Sequence, residues 1–560
     1  MERRLPIGIE DFKEMIENDY YYVDKSGFVK ELLDNRSEVS LLMRPRRFGK
    51  TLSLSMLKYY FEKAYDENGS ETDNRSLFEG LRIMEAGELY TKHMGQYPVI
   101  SLSLKSAKQP DFELAFTILK SQIADEFCRH HGVADRLEES DRKRFLMFMQ
   151  ESGENAQYLD ALAFLSRILR EVYEKKVILL IDEYDVPLEN AYFNGFYQQM
   201  TTFIRSLFES ALKTNANLEF AVVTGSLRIS KESIFTGFNN LKMVSLLDVD
   251  YSEQFGFTQA EVDRMLQYYG ITGREEEGKA WYDGYQFGKT EVYNPWSILM
   301  YVDKLRLDRD AIPRPYWANT LSNSIIRELV ERADSSVKQE LEMLIAGGTI
   351  EKPVHEDITY EDIYRTADNL WNFLFFTGYL KKVEERQEDV ANYLTLALPD
   401  LEVKYIYQNT ILEWFDRKIR HKDLTGIYNA LLKKETQLLE REISVNLMET
   451  ISFYDYREKY YHSFLGSLLK MMDGYTIKSN RESGLGRSVL QLLSAPYDGI
   501  AIIMELKVAD TYAQLVEKAE EALIQIEEKQ YDAELRLEGY HTFIKYGISF
   551  YKKLCKVMCR

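Results

Sequence analysis

Short runs of apolar residues recur through the first half of the chain, and longer segments with helical periodicity separate them. Leu54, Leu57 and Phe61 illustrate the helical spacing between two such runs. Continuous apolar strands that alternate with helices are typical of a mostly parallel sheet buried on both faces. The sequence therefore predicts an α/β domain with strands at VSLLM (39–43), YPVISLSL (97–104), KVILLIDE (176–183), LEFAVVTG (218–225) and MVSLL (243–247).

The pattern changes near residue 255, where helical periodicity and aromatic-rich connections such as WYDGYQFG (281–288) replace the strand-length runs. After about residue 450 it predicts a helix over 456–472, a hairpin-like pair within 475–508 and a long helix over 511–530. We therefore predict three segments: an α/β domain at 1–250, a mainly helical or winged-helix-like middle region at 251–445, and a third domain at 446–560.

Composition narrows the class of protein. A chain of 560 residues exceeds the size at which one hydrophobic core keeps growing. Its net charge of −19 opposes non-specific adhesion to nucleic acid or anionic lipid, so a nucleic-acid contact needs a local basic groove. The cysteines are an odd set, Cys128 and the distant Cys555 and Cys559, which cannot build a disulfide framework. No apolar run is long enough to span a bilayer. We expect a cytoplasmic protein without a membrane partner, and leave its oligomeric state open.

The segment RPRRFGKT (44–51) follows the first predicted strand and precedes a predicted helix. It ends in G-K-T, as a phosphate-binding loop does, although Arg44 stands where that pattern has its first glycine. Amide groups at a helix N-terminus attract anions, a lysine here reaches the β and γ phosphates, and a threonine hydroxyl ligates Mg²⁺. The candidate nucleotide-binding residues are Arg46, Arg47, Phe48, Gly49, Lys50 and Thr51.

Two observations keep an alternative open for this loop. A side chain at position 44 opposes the positive φ that a glycine would adopt there, and an ordinary strand-to-helix turn can contain G-K-T by chance. Arg46 and Arg47 either contact phosphate or face water. The motif alone does not choose between a nucleotide site and a plain turn.

Two later strands favour the nucleotide site. KVILLIDE ends in Asp182, which can hold Mg²⁺ together with Thr51, and Glu183, which can orient or deprotonate a water. LEFAVVTG carries Thr224 near its end, where a polar side chain can sense the γ phosphate, and Arg228 follows. Arg228 either neutralises transition-state charge or lies in a solvated loop. These residues predict binding of a nucleoside triphosphate with Mg²⁺, and hydrolysis of that nucleotide as the candidate reaction, with the choice between ATP and GTP left open.

Near the C-terminus, IIMELKV places Glu505 and Lys507 two residues apart on a predicted strand. The period of two puts both side chains on one face, where a carboxylate can ligate a divalent metal and an ammonium can lie beside a scissile phosphate. An exposed strand face often carries the same two residues without any function. The pair is therefore a candidate catalytic and metal site that needs further ligands.

With these motifs assembled, the chain resembles a bacterial and archaeal family of AAA-ATPase-like proteins with a C-terminal PD-(D/E)xK nuclease-superfamily domain. The resemblance extends over nearly the whole length. It implies a P-loop, AAA-like parallel-sheet domain, a helical middle region, and a C-terminal α/β nuclease-like domain. It rests on segments such as LLMRPRRFGKTL, LLIDEYDVPL, TGSLRISKESIFTGFNN, WYDGYQFG, YNPWSI, YWANT, SNRESGLGR, IIMELKV and YGISF.

The resemblance also implies roles in the C-terminal domain and exposes a departure. Glu458 matches an acid of the nuclease superfamily's first motif, and Gln525 and Tyr531 match an element that packs beside the site. Relatives usually carry an aspartate that ligates the metal where this chain has Val489, and a branched apolar side chain offers Mg²⁺ no oxygen. Asp498 is about 23 Å from Glu505 if the intervening chain is extended, so it is a poor substitute.

Three functional hypotheses follow. In the first, ATP binding or hydrolysis by the N-terminal domain controls a C-terminal nuclease-like domain that has lost metal-dependent cleavage. In the second, the loop holds nucleotide without turnover, and the chain is a scaffold that binds DNA, RNA or protein. In the third, the C-terminal domain is an active Mg²⁺-dependent nuclease with an unusual metal site.

Overall fold

The computed structural model describes most of the chain, with gaps between its segments. The described residues are 2–65, 71–227, 234, 235, 237–317, 326–328, 331, 334–354, 360, 362, 363, 365–389, 391–420, 422–449, 458–470, 472–480, 489–494 and 499–560.

Helices account for much of the described chain. In chain order they are α1 (Phe12–Glu17), α2 (Gly27–Asn35), α3 (Lys50–Phe61), α4 (Arg82–Glu85), α5 (Glu88–Thr91), α6 (Phe112–Arg129), α7 (Glu139–Met149), α8 (Ala161–Tyr173), α9 (Val186–Asn194), α10 (Tyr197–Leu212), α11 (Gln259–Tyr268), α12 (Glu275–Tyr282), α13 (Pro295–Leu307), α14 (Ser335–Ile345), α15 (Ala367–Phe376), α16 (Leu401–Arg420), α17 (Thr425–Leu432), α18 (Thr436–Glu449), α19 (Glu458–Leu469), α20 (Leu515–Glu528) and α21 (Ala533–Leu537).

The strands form separate sheets along the chain. They are β1 (Val39–Met43), β2 (Ala64–Tyr65), β3 (Glu71–Thr72), β4 (Val99–Ser103), β5 (Val177–Asp182), β6 (Leu218–Gly225), β7 (Leu241–Val244), β8 (Tyr285–Phe287), β9 (Thr290–Val292), β10 (Ile350–Pro353), β11 (Lys381–Glu388), β12 (Ala391–Ala397), β13 (Tyr475–Asn480), β14 (Val489–Ser494), β15 (Ile500–Val508), β16 (Thr542–Tyr551) and β17 (Leu554–Cys559).

The first sheet has the strand order β4-β5-β6-β1-β7, and its neighbouring strands are parallel. Every residue of β1 and of β5 is buried, as expected for strands covered on both faces. The predicted parallel α/β domain is therefore confirmed. Because β6 lies between β5 and β1, the segments that follow these three strands meet at one edge of the sheet.

The middle of the chain combines the predicted helices with strands that the sequence did not predict. Helices α11 to α18 lie in this region, as expected. In addition, β8 and β9 form a hairpin, and β10, β12 and β11 form a three-stranded sheet. Most of β11 is exposed and its sequence, KKVEERQE, is highly charged, so it lacks the apolar alternation by which a strand is recognised.

The C-terminal sheet has the order β13-β14-β15-β16-β17, in which β15 and β16 are parallel and the other pairs are antiparallel. We predicted two strands, as a hairpin-like pair, within 475–508. This number is wrong, because three antiparallel strands occupy that part of the described chain. The predicted long helix is present as α20. The sheet and its helices confirm an α/β domain at this end.

By internal contacts the chain divides into two compact units. One comprises Met1–Asn319 and Glu351–Val403, and the other comprises Thr320–Ile350 and Lys404–Arg560. The division of the chain into the segments 1–250, 251–445 and 446–560 remains a prediction. Among the described residues, no helix is both long enough and apolar enough to cross a bilayer.

Candidate functional site

The loop between β1 and α3 has an unusual backbone at two positions. Gly49 has a φ of 83° and immediately precedes α3, and Arg47 has a φ of 72°. A non-glycine residue in this left-handed region carries strain of about 1–3 kcal/mol, which is commonly found at ligand-binding segments. The strain that the sequence led us to expect at position 44 lies at position 47 instead.

Arg44, which replaces the usual glycine, is fully buried behind the loop. Its guanidinium donates hydrogen bonds to the backbone oxygens of Ser245 at 2.8 Å and Asp250 at 3.0 Å, and it lies over the rings of Phe255 and Phe287. Burial lowers the pKa of Arg44 to about 10. Because these groups hold the guanidinium beyond the end of β7, Arg44 does not obstruct the mouth of the loop.

Lys50 and Thr51, the first residues of α3, face the ends of the neighbouring strands. The Lys50 Nζ donates to the backbone oxygens of Arg44 at 2.9 Å and Pro45 at 3.0 Å. The Thr51 hydroxyl donates to Asp182 Oδ2 at 2.7 Å. Burial lowers the pKa of Lys50, and the carboxylates of Glu183, Asp185 and Asp182 oppose that effect. The structure thus brings the G-K-T motif and the acidic strand end together.

Thr224 completes this group from the intervening strand β6. Its hydroxyl donates to Asp182 Oδ1 at 2.5 Å, so the two oxygens of Asp182 accept from two threonines. Glu183 follows with a φ of 52°. Burial raises its pKa, and Lys50 opposes the rise. A partly buried carboxylate with a raised pKa beside a lysine is suited to accept a proton from water.

Sequence reasoning missed Asp185, which lies two residues after Glu183. It is 3% exposed, and its Oδ2 accepts from the amides of Ser226 at 2.9 Å and Leu227 at 3.2 Å. A Cβ at Gly225 would lie 2.4 Å from the Tyr184 ring and 3.0 Å from Asp185 Oδ1, so only glycine fits there. Asp185 is the third acidic residue of the segment IDEYD, and this local cluster of acids is the sequence feature that could have identified it.

The remaining loop residues have different surroundings from those expected. Arg46 forms an ion pair with Glu189 of α9, and both side chains are largely buried. Arg47 places its guanidinium 4.2 Å from the centre of the Trp296 ring. The Phe48 side chain is buried against the rings of Tyr285 and Phe287, so only its backbone can face a ligand. Arg228 lies outside the described residues.

The C-terminal candidate pair forms a second, smaller group. Glu505 is fully buried, and its Oε1 lies 3.7 Å from the Lys507 Nζ. Gln525 of α20 links the two, because its Nε2 donates to Glu505 at 2.6 Å and its Oε1 accepts from Lys507 at 2.6 Å. The same Nε2 donates to the Tyr531 hydroxyl at 3.1 Å. Gln525 and Tyr531 therefore pack beside the pair, as the resemblance implied.

The strand next to Glu505 carries Val489. In the antiparallel pairing of β14 with β15, residue 489 is the direct partner of Glu505. Glu458 is the first residue of α19. Asp498 lies outside the described residues, as does Glu482 of the segment SNRESGLGR, for which the sequence allows a supporting role at this site. Across the described part of the chain, no three histidine, cysteine, aspartate or glutamate side chains come together in a way suited to a metal ion.

The two sites differ in how they fit a ligand. At the first, the backbone around Gly49 leaves open space, since an added Cβ there would meet no atom within 4 Å. The loop amides, Lys50, Thr51 and Asp182 supply an anion cradle, a cation and two oxygen ligands. Phosphate oxygens supply the remaining ligands of Mg²⁺ in such sites. At the second, one glutamate stands without a neighbouring acid on β14. The donor set fits Mg²⁺ and phosphate at the first site only.

Comparison with known proteins gives a match at each end of the chain. Residues 6–235 match a family model described as a predicted AAA-ATPase, and residues 456–559 match a model of the PD-(D/E)XK nuclease superfamily. The chain is also 26% identical, over 553 residues, to a protein of Azotobacter chroococcum mcd 1 described as an uncharacterized protein in the vnfD 5′ region. That alignment covers 96% of this chain and 94% of the relative. The resemblance inferred from the sequence is confirmed.

Proposed function

We propose that this protein, which joins an AAA-ATPase-like domain to a PD-(D/E)XK nuclease-superfamily domain in one chain, binds and hydrolyses ATP with Mg²⁺ at the loop 44–51. The observation that carries the proposal is the contact between Thr51 and Asp182, which joins the two motifs across 131 positions of sequence. A site that assembles both motifs with a buried lysine is suited to phosphoryl chemistry.

The proposed roles follow from the contacts. The amides around Gly49 and the Lys50 ammonium bind the β and γ phosphates, and Thr51 with Asp182 holds Mg²⁺. Held by Thr51 and Asp182, Mg²⁺ would supply positive charge that neutralises the phosphates. Glu183 accepts a proton from the attacking water or orients it, and Thr224 keeps Asp182 in place. The ammonium must leave the two loop oxygens to reach phosphate.

Phosphate release from ATP tests this assignment. We expect Lys50→Ala to lose both binding and turnover, and Glu183→Gln to retain binding but lose at least about 99% of turnover, since each removed group acts at a different step. Lys58→Ala, on the same helix, is the matched control and should behave like wild type. Undiminished turnover in Lys50→Ala would overturn the site.

We further propose that the C-terminal domain has lost metal-dependent cleavage and that the nucleotide site controls it as a binding domain for nucleic acid. The pairing of Val489 with Glu505 supports this, because the position that would carry an oxygen ligand carries an apolar residue.

Incubation of the full chain with varied DNA and RNA in Mg²⁺ or Mn²⁺ tests the second proposal. We expect no cleavage, with or without ATP. Robust cleavage that disappears in Glu505→Ala would contradict it and would favour the third hypothesis, an active nuclease. Binding without cleavage is measured on the same substrates by a mobility shift.

A further inference from the structure

Arg46 lies within the phosphate loop, yet its charge is already matched by another side chain of the protein. Its guanidinium forms an ion pair with Glu189, on the first turn of α9. The side chains are 23% and 19% exposed, so water screens the pair only in part. A phosphate that is to use Arg46 must therefore compete with a carboxylate.

The position of Arg46 relative to Lys50 shows what it can reach. Among the causes that lower the pKa of Lys50, after burial, is the nearby positive charge of Arg46. The carboxylate of Asp185 likewise acts on both Lys50 and Arg46. Contacts agree with this: Ser226 accepts from the Lys50 Nζ at 3.4 Å and donates its amide to Asp185 at 2.9 Å. The amide of Glu189, the partner of Arg46, donates to the backbone oxygen of Asp185 at 2.9 Å. The two cations therefore lie on the same side of the sheet edge. Since a loop lysine binds the β and γ phosphates, the guanidinium lies near the terminal end of a bound triphosphate.

The charges around the loop give a reason for Arg46 to leave Glu189 when a phosphate binds. The negative charges of Asp182, Glu183 and Asp185 act on Lys50, and Glu189 forms an ion pair with Arg46. The group of side chains is therefore net negative by itself, which opposes a polyanion. Release of Arg46 from Glu189 would return one positive charge to the phosphate side, and the terminal phosphate is the ligand group with the most charge to attract it.

A buried tyrosine from another part of the same unit packs against α9, the helix that carries Glu189. Tyr360 is 3% exposed, and its ring stacks on Tyr192 with the ring centres 5.9 Å apart. Tyr192 lies one helical turn beyond Glu189 on α9. Burial raises the pKa of Tyr360 strongly, with the Glu189 carboxylate as the next cause. Glu189 therefore lies on a helix that packs against this buried ring.

Resting on the proposed nucleotide site, we propose that Arg46 exchanges Glu189 for the terminal phosphate when a magnesium nucleoside triphosphate binds. Arg46 then distinguishes a triphosphate from a diphosphate, and Glu189 sets how much binding energy the exchange requires. A diphosphate leaves the ion pair intact because it lacks the group that displaces the carboxylate.

Calorimetric titration of the full chain with a non-hydrolysable magnesium ATP analogue and with magnesium ADP tests the exchange. We expect Arg46→Gln to weaken triphosphate binding about tenfold or more and diphosphate binding less than about threefold. We expect Glu189→Gln to tighten triphosphate binding about tenfold and to leave diphosphate binding within about twofold. In the double variant the effect of Glu189→Gln should vanish, since there is no guanidinium left to release.

Asp141→Asn is the matched control, because Asp141 forms another partly buried ion pair, with Arg167, in the same domain. It should change neither affinity. Thermal unfolding shows whether each variant is folded. If Arg46→Gln does not fold, the effect of Glu189→Gln on the two affinities tests the exchange alone. Equal effects on both nucleotides, or none, overturn the exchange.

Lys50→Ala separates this inference from the proposed function. If Lys50→Ala binds triphosphate as well as wild type, the nucleotide site itself is wrong. If Lys50→Ala abolishes binding while Glu189→Gln has no selective effect, the nucleotide site stands and only the exchange is refuted.

Discussion

The proposed nucleotide site and the Glu505 site are built from similar chemistry but differ in how many elements contribute to them. At the first, three elements that meet at one edge of a parallel sheet contribute: α3 with Lys50 and Thr51, β5 with Asp182, and β6 with Thr224. At the second, Glu505 and Lys507 come from one strand and are joined by Gln525 of one helix. From this difference we expect that a pair of polar residues with the correct spacing binds a metal only where a neighbouring strand adds a ligand.

The largest expected effect on ATP turnover comes from replacing the central carboxylate of one site and comparing it with the same change in the other. We expect Asp182→Asn to reduce ATP turnover about a thousandfold, because one amide cannot accept from both Thr51 and Thr224 while it ligates Mg²⁺. Glu505→Gln should leave turnover unchanged. Steady-state phosphate release under saturating ATP measures both, and equal losses would show that the sites are not independent.

Two glycines allow each sheet to be weakened separately. A Cβ at Gly225 would lie 2.4 Å from the Tyr184 ring, and one at Gly547 would lie 2.1 Å from the backbone oxygen of Ala519. We expect either alanine variant to lose about 3 kcal/mol of stability in its own sheet, since overpacked groups must move. Chemical denaturation followed by hydrogen exchange locates the loss.

Gly426 of α17 is the control for these variants, because a Cβ there meets no atom within 4 Å. Gly426→Ala should gain about 0.5–1 kcal/mol from helix propensity. Only Gly225→Ala should also lose nucleotide binding. Loss of nucleotide binding in Gly547→Ala would contradict a nucleotide site confined to the first sheet.

Adding a carboxylate beside Glu505 should give the Glu505 site the second metal ligand that it lacks on β14. Residue 489 is the direct strand partner of Glu505, and paired positions in antiparallel strands lie about 4.5–5.5 Å apart at Cβ. We therefore expect Val489→Asp to tighten Mn²⁺ binding by the C-terminal domain about tenfold, as a second carboxylate joins Glu505. Calorimetry with Mn²⁺ in the absence of nucleotide measures it. Val489→Asn is the matched control, and equal tightening by both variants would argue against an added carboxylate ligand.

The smallest expected effect is a change in the pH dependence of stability, and it is tested on two buried glutamates. Glu402, whose Oε1 accepts from the Trp317 amide at 2.7 Å, lies beside buried Asp400, whereas Glu505 has Lys507 and Gln525 as partners. Burial raises the pKa of Glu402 above its ordinary 4.5. A carboxyl with a raised pKa holds more protons folded than unfolded, so its ionisation lowers stability as pH rises above 4.5.

Glu402→Gln should therefore be more stable than wild type at pH 8 by about 1 kcal/mol, and this gain should disappear toward about pH 4.5. Glu505→Gln should instead lose stability at pH 8, because its amide no longer matches the Lys507 charge. Urea denaturation across this pH range measures both. A pH-independent effect of Glu402→Gln would indicate that Glu402 does not titrate in this interval.

Local sequence was most informative where function depends on residues close in the chain. The limits predicted for the strand 218–225 match β6, and G-K-T, Asp182 with Glu183, and Glu505 with Lys507 could be recognised from their own neighbours. Surroundings were harder to predict. Nothing near Arg46 in sequence indicates that Glu189, 143 positions away, forms its ion pair, and nothing near Phe48 indicates that its side chain is buried.

The sequence by itself determined the parallel α/β domain, the loop with its lysine and threonine, and the absence of an acid at residue 489. These are matters of residue type and short-range periodicity, which the backbone geometry of strands and helices converts directly into local structure. Only the tertiary structure decided that β6 lies between β5 and β1, that Arg44 is buried behind the loop, and that residue 489 is the register partner of Glu505 on the neighbouring strand. Strand order and register arise from the packing of segments far apart in the chain, and no local pattern encodes them.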